Sequence, residues 1–353
     1  MTFWKRSIPP TSEGLWAFYD LAASPSSFEF TTFLYTAELR RRQKGHPALH
    51  VVIVPGFKNG FRTSDSKEQN GQGTENLRWR LRNIVLPCAW LLPSCRQLVV
   101  CGSREEAKAI QTRLAGSVFP KGYLVDRPKK QPHLIRYLVQ ALQEGGQPPT
   151  FEATPLGLFH VGRWIQARAG SRKLITIVLR ESTYHASRNS NIHAWAEFAE
   201  GLDPEEFCPV FVRDTEAALD PVPAEIQDFE IFQEACWNVE LRAALYELSY
   251  VVLYANSGAG ALCTYNRRVR YIEFKMLDPS CNSTKPEYFE GPLVGVPVGS
   301  ERWPWSSPLQ KLVWEDDNLE VIQREFQKMY EEIKQNPYAA GGAPAGFLEK
   351  GNK

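Results

Sequence analysis

No stretch of this 353-residue sequence approaches the roughly 20 consecutive apolar residues that cross a bilayer. The first residues, Met1-Thr2-Phe3-Trp4-Lys5-Arg6, have no apolar segment behind their charges and meet Pro9-Pro10 soon after, so no secretory leader is expected. An excess of one charge is also missing. Lys and Arg number 41 against 40 Asp and Glu, a net of +1, which removes the global electrostatic footprint of a nucleic-acid binder. The seven cysteines (88, 95, 101, 208, 236, 263 and 281) are odd in number and never spaced CxxC. That pattern fits reduced core thiols in a cytosolic protein better than a disulfide framework or a zinc site. GxSxG, HExxH, GxGxxG and Walker A patterns are all absent, which disfavours serine-nucleophile and zinc hydrolases and P-loop enzymes.

What is present is an alternation of short apolar runs with helical periodicities. In the first part, residues 15–19, 51–54, 98–101 and 123–125 read as strands. Residues 28–42, 103–114 and 132–143 read as helices, the second opened by Ser103 with Glu106 three residues on. Residues 58–75 read as a mobile loop. Gly145-Gly146-Gln147-Pro148-Pro149 is the best linker. Beyond it strands are expected at 174–179, 209–212, 230–232, 250–255 and 271–274, and helices at 191–200, 239–248, 260–265 and 318–334. Residues 286–308 read as irregular, and the tail past Pro337 as frayed. Such alternation predicts an α/β fold of two Rossmann-like domains, 1–147 and 148–317, facing each other across a cleft. Residues 318–353 are expected to supply a helix that returns to the first domain, and a tail. A ligand belongs at the carboxyl ends of the strands.

Two loops carry most of the chemistry. Residues 179–191 leave the first strand of the second half and contain Arg180, Ser182, Tyr184, Arg188 and Asn189. Two arginines among hydroxyl and amide donors suit a diphosphate, unless the segment is a solvated loop in which Asn191 caps the next helix. Residues 254–262 form a small-residue turn, Asn256-Ser257-Gly258-Ala259-Gly260, that opens a helix whose free N–H groups favour phosphate, or else simply connect two elements. Asp214 stands at another strand end, for a ribose hydroxyl or a turn. Trp237 is placed to stack on a base, and Asn238 to bind or to cap. In the first half, Gly56, Lys58, Asn59 and Arg62 follow a buried strand. Arg82 belongs to residues 76–83, where arginine alternates with apolar residues as in an amphipathic strand, a basic patch facing phosphate or anionic lipid, or a solvated face.

Two Rossmann-like halves, a charged C-terminal helix and ligand loops gathered in the second half resemble the GT-B superfamily of glycosyltransferases, in its heptosyltransferase-like and fucosyltransferase-like branches. The His-Val-Arg-Arg pattern of the latter is missing, and Asn-Ser-Gly-Ala-Gly stands where the former usually carry Asp-Ser-Gly. The resemblance implies a metal-independent glycosyltransferase acting from a nucleotide-sugar donor onto a glycan or lipid-linked acceptor. The setting it implies is bacterial surface-polysaccharide or glycoconjugate synthesis, in the cytoplasm or at the inner face of the membrane. No cofactor, metal or nucleic-acid partner is expected. In the mechanism implied for an inverting member, a first-half base deprotonates the acceptor. Asp20, directly after the first strand, is the candidate. A sugar-nucleotide epimerase and a non-catalytic nucleotide-sugar-binding protein are the other readings.

Overall fold

A computed structural model of the chain describes residues 13–62, 73–114, 117–128, 133–183, 185–292 and 294–336. The chain divides into two units, Met1–Gln147 and Pro148–Lys353.

In the first unit β1 (Leu15–Asp20) and β2 (Leu49–Val54) are buried at every position, because each is covered on both faces. They lie in a parallel four-stranded sheet with β3 (Cys95–Val100) and β4 (Val118–Phe119), in the order β3-β2-β1-β4. The chain steps outward from β1 and then returns to its other flank, so β1 and β4 leave the sheet at a switch point. The helices are α1 (Glu29–Gln43), α2 (Gly73–Arg80), α3 (Arg104–Arg113) and α4 (Ile135–Gln143). Ser103 caps α3 as expected, its hydroxyl accepting the Glu106 amide at 3.2 Å, while the Glu106 carboxylate accepts the Gly102 amide at 2.7 Å.

Two expectations are corrected here. Residues 123–125 are a turn, not a strand. Gly122 takes a positive φ of 70°, and the Tyr123 amide closes back on the Pro120 carbonyl at 3.0 Å. Residues 76–83 are helical rather than a strand, with α2 running into a π turn, Leu81–Val85. Leu77, Ile84 and Val85 are buried there, whereas Trp79 is exposed, so the arginine alternation has no period-2 meaning.

The second unit holds a six-stranded parallel sheet. Its strands are β5 (Lys173–Val178), β6 (Phe207–Val212), β7 (Glu230–Ile231), β8 (Val251–Ala255), β9 (Tyr271–Phe274) and β10 (Gln310–Leu312). The order β10-β9-β8-β5-β6-β7 is the doubly wound one, with its reversal between β5 and β8. Helices α5 (Pro155–Arg168), α6 (Ile192–Glu200), α7 (Val239–Leu248) and α8 (Leu319–Gln335) are interleaved with it. Neither α5 nor β10 is anticipated above. The signal for α5 was present in Thr154-Pro155: Thr154 accepts the Gly157 amide at 3.0 Å and Pro155 occupies the first turn.

Helix α8 packs within the second unit. Its apolar stripe of Val321, Ile322, Phe326, Met329 and Ile333 is spent in the second unit's core, beside Phe198 and Phe207. All seven cysteines are buried and unbridged.

Asp317 joins β10 to α8 and is 1% exposed. One carboxylate oxygen accepts both the Asn191 amide and the Trp195 indole N–H at 2.8 Å; the other faces Lys275 Nζ at 3.4 Å. Asp317→Ala leaves those donors without an acceptor and is expected to cost about 3 kcal/mol in urea unfolding. Asp317→Asn retains an acceptor and is expected to cost about half as much.

Candidate functional site

Because β5 and β8 pair side by side, the loops that leave their carboxyl ends meet. Arg188 makes the junction. Its Nη2 donates to the Asn256 carbonyl at 3.1 Å and to Asn256 Oδ1 at 3.5 Å, and its Nη1 to Cys281 Sγ at 3.7 Å. A third loop, after β9, therefore joins the other two. Ser187 and Ser280 share a hydrogen bond at 2.8 Å, and Lys275 donates to the Asn189 carbonyl at 3.2 Å. Lys275 itself sits at a φ of 55°. This third loop was not anticipated; a lysine directly after a buried strand, at 271–275, was its signal in the sequence.

Within the 179–191 loop the arginines divide the work. Arg180 is 7% exposed. It donates through Nη1 to the His185 carbonyl at 3.0 Å and to Asn189 Oδ1, so it braces the loop from inside and does not lie open to a ligand. Its guanidinium is held below its ordinary pKa, first by burial and then by the charge of Arg188. Asn189 spans the loop, accepting the Ser182 amide at 3.1 Å and donating to the Ser182 carbonyl at 3.0 Å. His185 adopts a left-handed φ of 53° at the bend. Tyr184 lies outside the described residues. Arg188 is half-buried at the meeting of three loops.

The turn after β8 opens a short helix, as the sequence predicts. A 3-10 turn, Gly258–Gly260, precedes a helix only four residues long, Ala261–Thr264, so its dipole is small. A helical start of this kind leaves the Gly258 and Ala259 amides without intrahelical acceptors. Asn256 is committed, its amide donating to Phe274 at 2.8 Å, and Ser257 lies half-buried beside it. Gly260 is required by contact, since a Cβ there would lie 2.2 Å from the Tyr254 ring.

Asp214 and Glu181 exchange contacts across two strand ends, the Asp214 amide donating to Glu181 at 3.2 Å and the Glu181 amide to Asp214 at 3.4 Å. Buried Arg213 holds Glu181 at 2.7 Å. Asn238 caps α7, its Oδ1 accepting the amides of Glu240 and Leu241 at 3.0 and 3.1 Å. Trp237 is half-buried, and its indole N–H is buried without an acceptor.

In the first unit Gly56, Lys58 and Asn59 form a tight loop. Asn59 and Gly60 both take positive φ (52° and 82°), and a Cβ on Gly56 would sit 2.4 Å from the Phe61 carbonyl oxygen. Asp20 is 1% exposed and fully engaged. Arg104 grips both of its oxygens at 2.8 Å, Tyr123 donates to it at 2.6 Å and the Ala22 amide at 2.9 Å. Burial first, and then the Asp20 charge, push the Tyr123 hydroxyl far up. A carboxylate with four donors and no open face ties strand ends together and is poorly placed to take a proton. Glu29 is different. Its side chain is 55% exposed at the start of α1, with Oε2 2.8 Å from Nε2 of buried His133.

Beneath the Asn256–Gly260 turn, Glu273 is buried at the end of β9 and accepts from Tyr254 and the Trp303 indole, both at 3.3 Å. Burial raises its pKa to about 7, against smaller opposing effects of Trp303, Tyr254 and Arg188. A carboxyl raised on folding is held protonated in the folded chain, whereas the unfolded chain ionises from near 4.5. Stability is therefore lost as pH rises from 4.5 toward 7. Glu273→Gln is expected to be more stable than the parent by about 2 kcal/mol at pH 8, with the difference vanishing near pH 4, read by denaturant midpoints.

No family model matches the chain, and no curated protein matches it. Among solved structures it is similar to the glycosyl transferase family 9 from Veillonella parvula DSM 2008, at 11% identity and a TM-score of 0.49 over 92% of this chain and 91% of that one. It is also similar to the E. coli ADP-heptose lps heptosyltransferase II, at 9% identity and 0.48 over 91% and 99%. A third is E. coli heptosyltransferase WaaC with ADP, at 12% identity and 0.43 over 92% and 99%.

Proposed function

We propose that the chain is a glycosyltransferase that needs no metal ion, with a nucleotide-sugar donor on the second unit and a glycan or lipid-linked acceptor on the first. The observation that carries this reading is the junction at the β5/β8 switch point, where Arg188 joins the Asn256 turn to two other loops. Doubly wound sheets bind nucleotides at that place. A half-buried guanidinium beside open amides is suited to a diphosphate, and above all to one gaining charge as a leaving group.

In the proposed transfer the acceptor oxygen bonds to the anomeric carbon of the donor sugar as the bond from that carbon to the diphosphate breaks. The electron pair leaves with the diphosphate, which Arg188 and the Gly258 and Ala259 amides stabilise. The acceptor proton passes to Glu29, which takes the part first expected of Asp20. Partial desolvation pushes the Glu29 carboxyl up, but the hydrogen bond and charge of His133, with Arg62 and Arg80 nearby, bring it below its ordinary value. Glu29 is thus ionised at neutral pH and ready to accept.

A thermal-shift screen of nucleotide sugars tests the donor, because a ligand of the folded state raises its stability. If none shifts the midpoint, the reading fails. With the donor so found, Arg188→Ala is expected to weaken binding roughly 10- to 150-fold by calorimetry. Glu29→Gln is expected to lower kcat by roughly 100-fold or more with donor affinity unchanged. In the parent, the acid limb of the rate profile should fall below pH 4.5, since the folded Glu29 loses its charge only there.

A further inference from the structure

The second unit has a cavity that the donor reading does not use. It lies between the end of α6 and the middle of α8, beside the start of β6, whereas the Arg188 junction lies where β5 and β8 end. Its volume is about 300 Å³, at the lower end for small-molecule sites. Phe198, Phe207 and Phe326 line it with buried rings, the first two meeting Phe326 edge to face at 5.1 and 5.7 Å. The charged side chains along its wall are of one sign. Asp203 and Glu206 belong to it, and among the described residues no lysine or arginine does. Asp203 Oδ1 accepts the Glu205 amide at 3.0 Å, and Oδ2 has no partner among the described residues. Glu206 Oε1 takes both the Tyr330 hydroxyl, at 2.7 Å, and Lys173 Nζ, which leaves Oε2 open in the same sense. Lys173 shows what such surroundings hold. Its ammonium lies 5.0 to 5.6 Å from the ring centroids of Phe207, Tyr250 and Tyr330. Its charge is met by Glu206, and that of Lys334, also over Tyr330, by Glu331. Asp203 has no such cation.

We propose that this cavity binds a small primary ammonium with an aromatic body. The body takes the place of water against the phenylalanine rings. The ammonium has three N–H donors for the open oxygens of Asp203 and Glu206, and its charge answers theirs. A carboxylate or phosphate in the same place would meet two like charges, and a neutral ligand would leave Asp203 uncompensated. The site stands apart from the transferase reading, at the opposite edge of the sheet, and its test needs no donor or acceptor.

The full chain is titrated by calorimetry with 2-phenylethylamine, beside 2-phenylethanol and 3-phenylpropanoate as neutral and anionic counterparts. The amine is expected to bind saturably, and roughly tenfold or more tightly than either counterpart. Asp203→Asn keeps an acceptor for the Glu205 amide, removes the charge and should weaken the amine roughly tenfold. Gln323→Trp, at an exposed position of α8 on the cavity wall, fills the space and should abolish binding. Circular dichroism confirms that the variants are folded, and should one fail to fold, the other decides. No saturable heat with the amine, equal binding of the alcohol or the acid, or unaltered binding by the folded variants overturns the proposal.

Discussion

Asp317 lies in the short connection between β10 and α8, yet what it holds is the far end of the loop that leaves β5. The Asn191 amide at the start of α6, the Trp195 indole one turn on and the Lys275 ammonium after β9 all converge on this one carboxylate. With Asn191 and Lys275 in place, the 179–191 loop is pinned at its end and at the Asn189 carbonyl. Arg188, between those two points, reaches toward both Asn256 and Cys281. A buried negative charge surrounded by donors is costly to disturb, since each donor left alone carries its own desolvation penalty. The position of the candidate ligand cation is therefore an outcome of packing at the last helix.

The two units use the same topological device to different ends. Each places its first strand centrally and reverses direction beside it. In the first unit the residue at that point is an acid, which Arg104 neutralises in place while the Tyr123 hydroxyl donates to it. In the second the charges at the reversal are guanidinium groups. Arg180 is folded inward, while Arg188 stays half-buried at the surface of three loops. A sheet edge of the first kind is a rigid support, and an edge of the second kind retains charge for something else.

Much of the strand and helix order was legible in the sequence, because strands covered on both faces must be apolar at every position. The runs at 51–54, 174–178 and 251–255 admit little else. The Ser103 and Asn238 caps were legible for a local reason, each needing only a side-chain oxygen and an amide two or three residues on. Asp20 shows where local reasoning stops. Its strand-end position was evident, but its partners come from 84 and 103 residues away, and they decide that it is a strut. The Arg188–Asn256 contact spans 68 residues and follows from strand order alone. Residues 123–125 read as a strand because they are three apolar residues in a row, yet Tyr123 and Val125 reach the core from a turn.

Several cations of this fold grip main-chain oxygens. Arg188 takes the Asn256 carbonyl, Arg180 that of His185, Lys275 that of Asn189, and Arg104 those of Pro55 and Val125. A carbonyl persists whatever side chain its residue bears. Positions 55 and 125 can therefore change identity during divergence without releasing the Arg104 grips, provided the backbone keeps its course. Selection is then free to rewrite the chemistry presented at the strand ends while the scaffold that aims it is inherited intact, which separates the evolution of specificity from the evolution of stability.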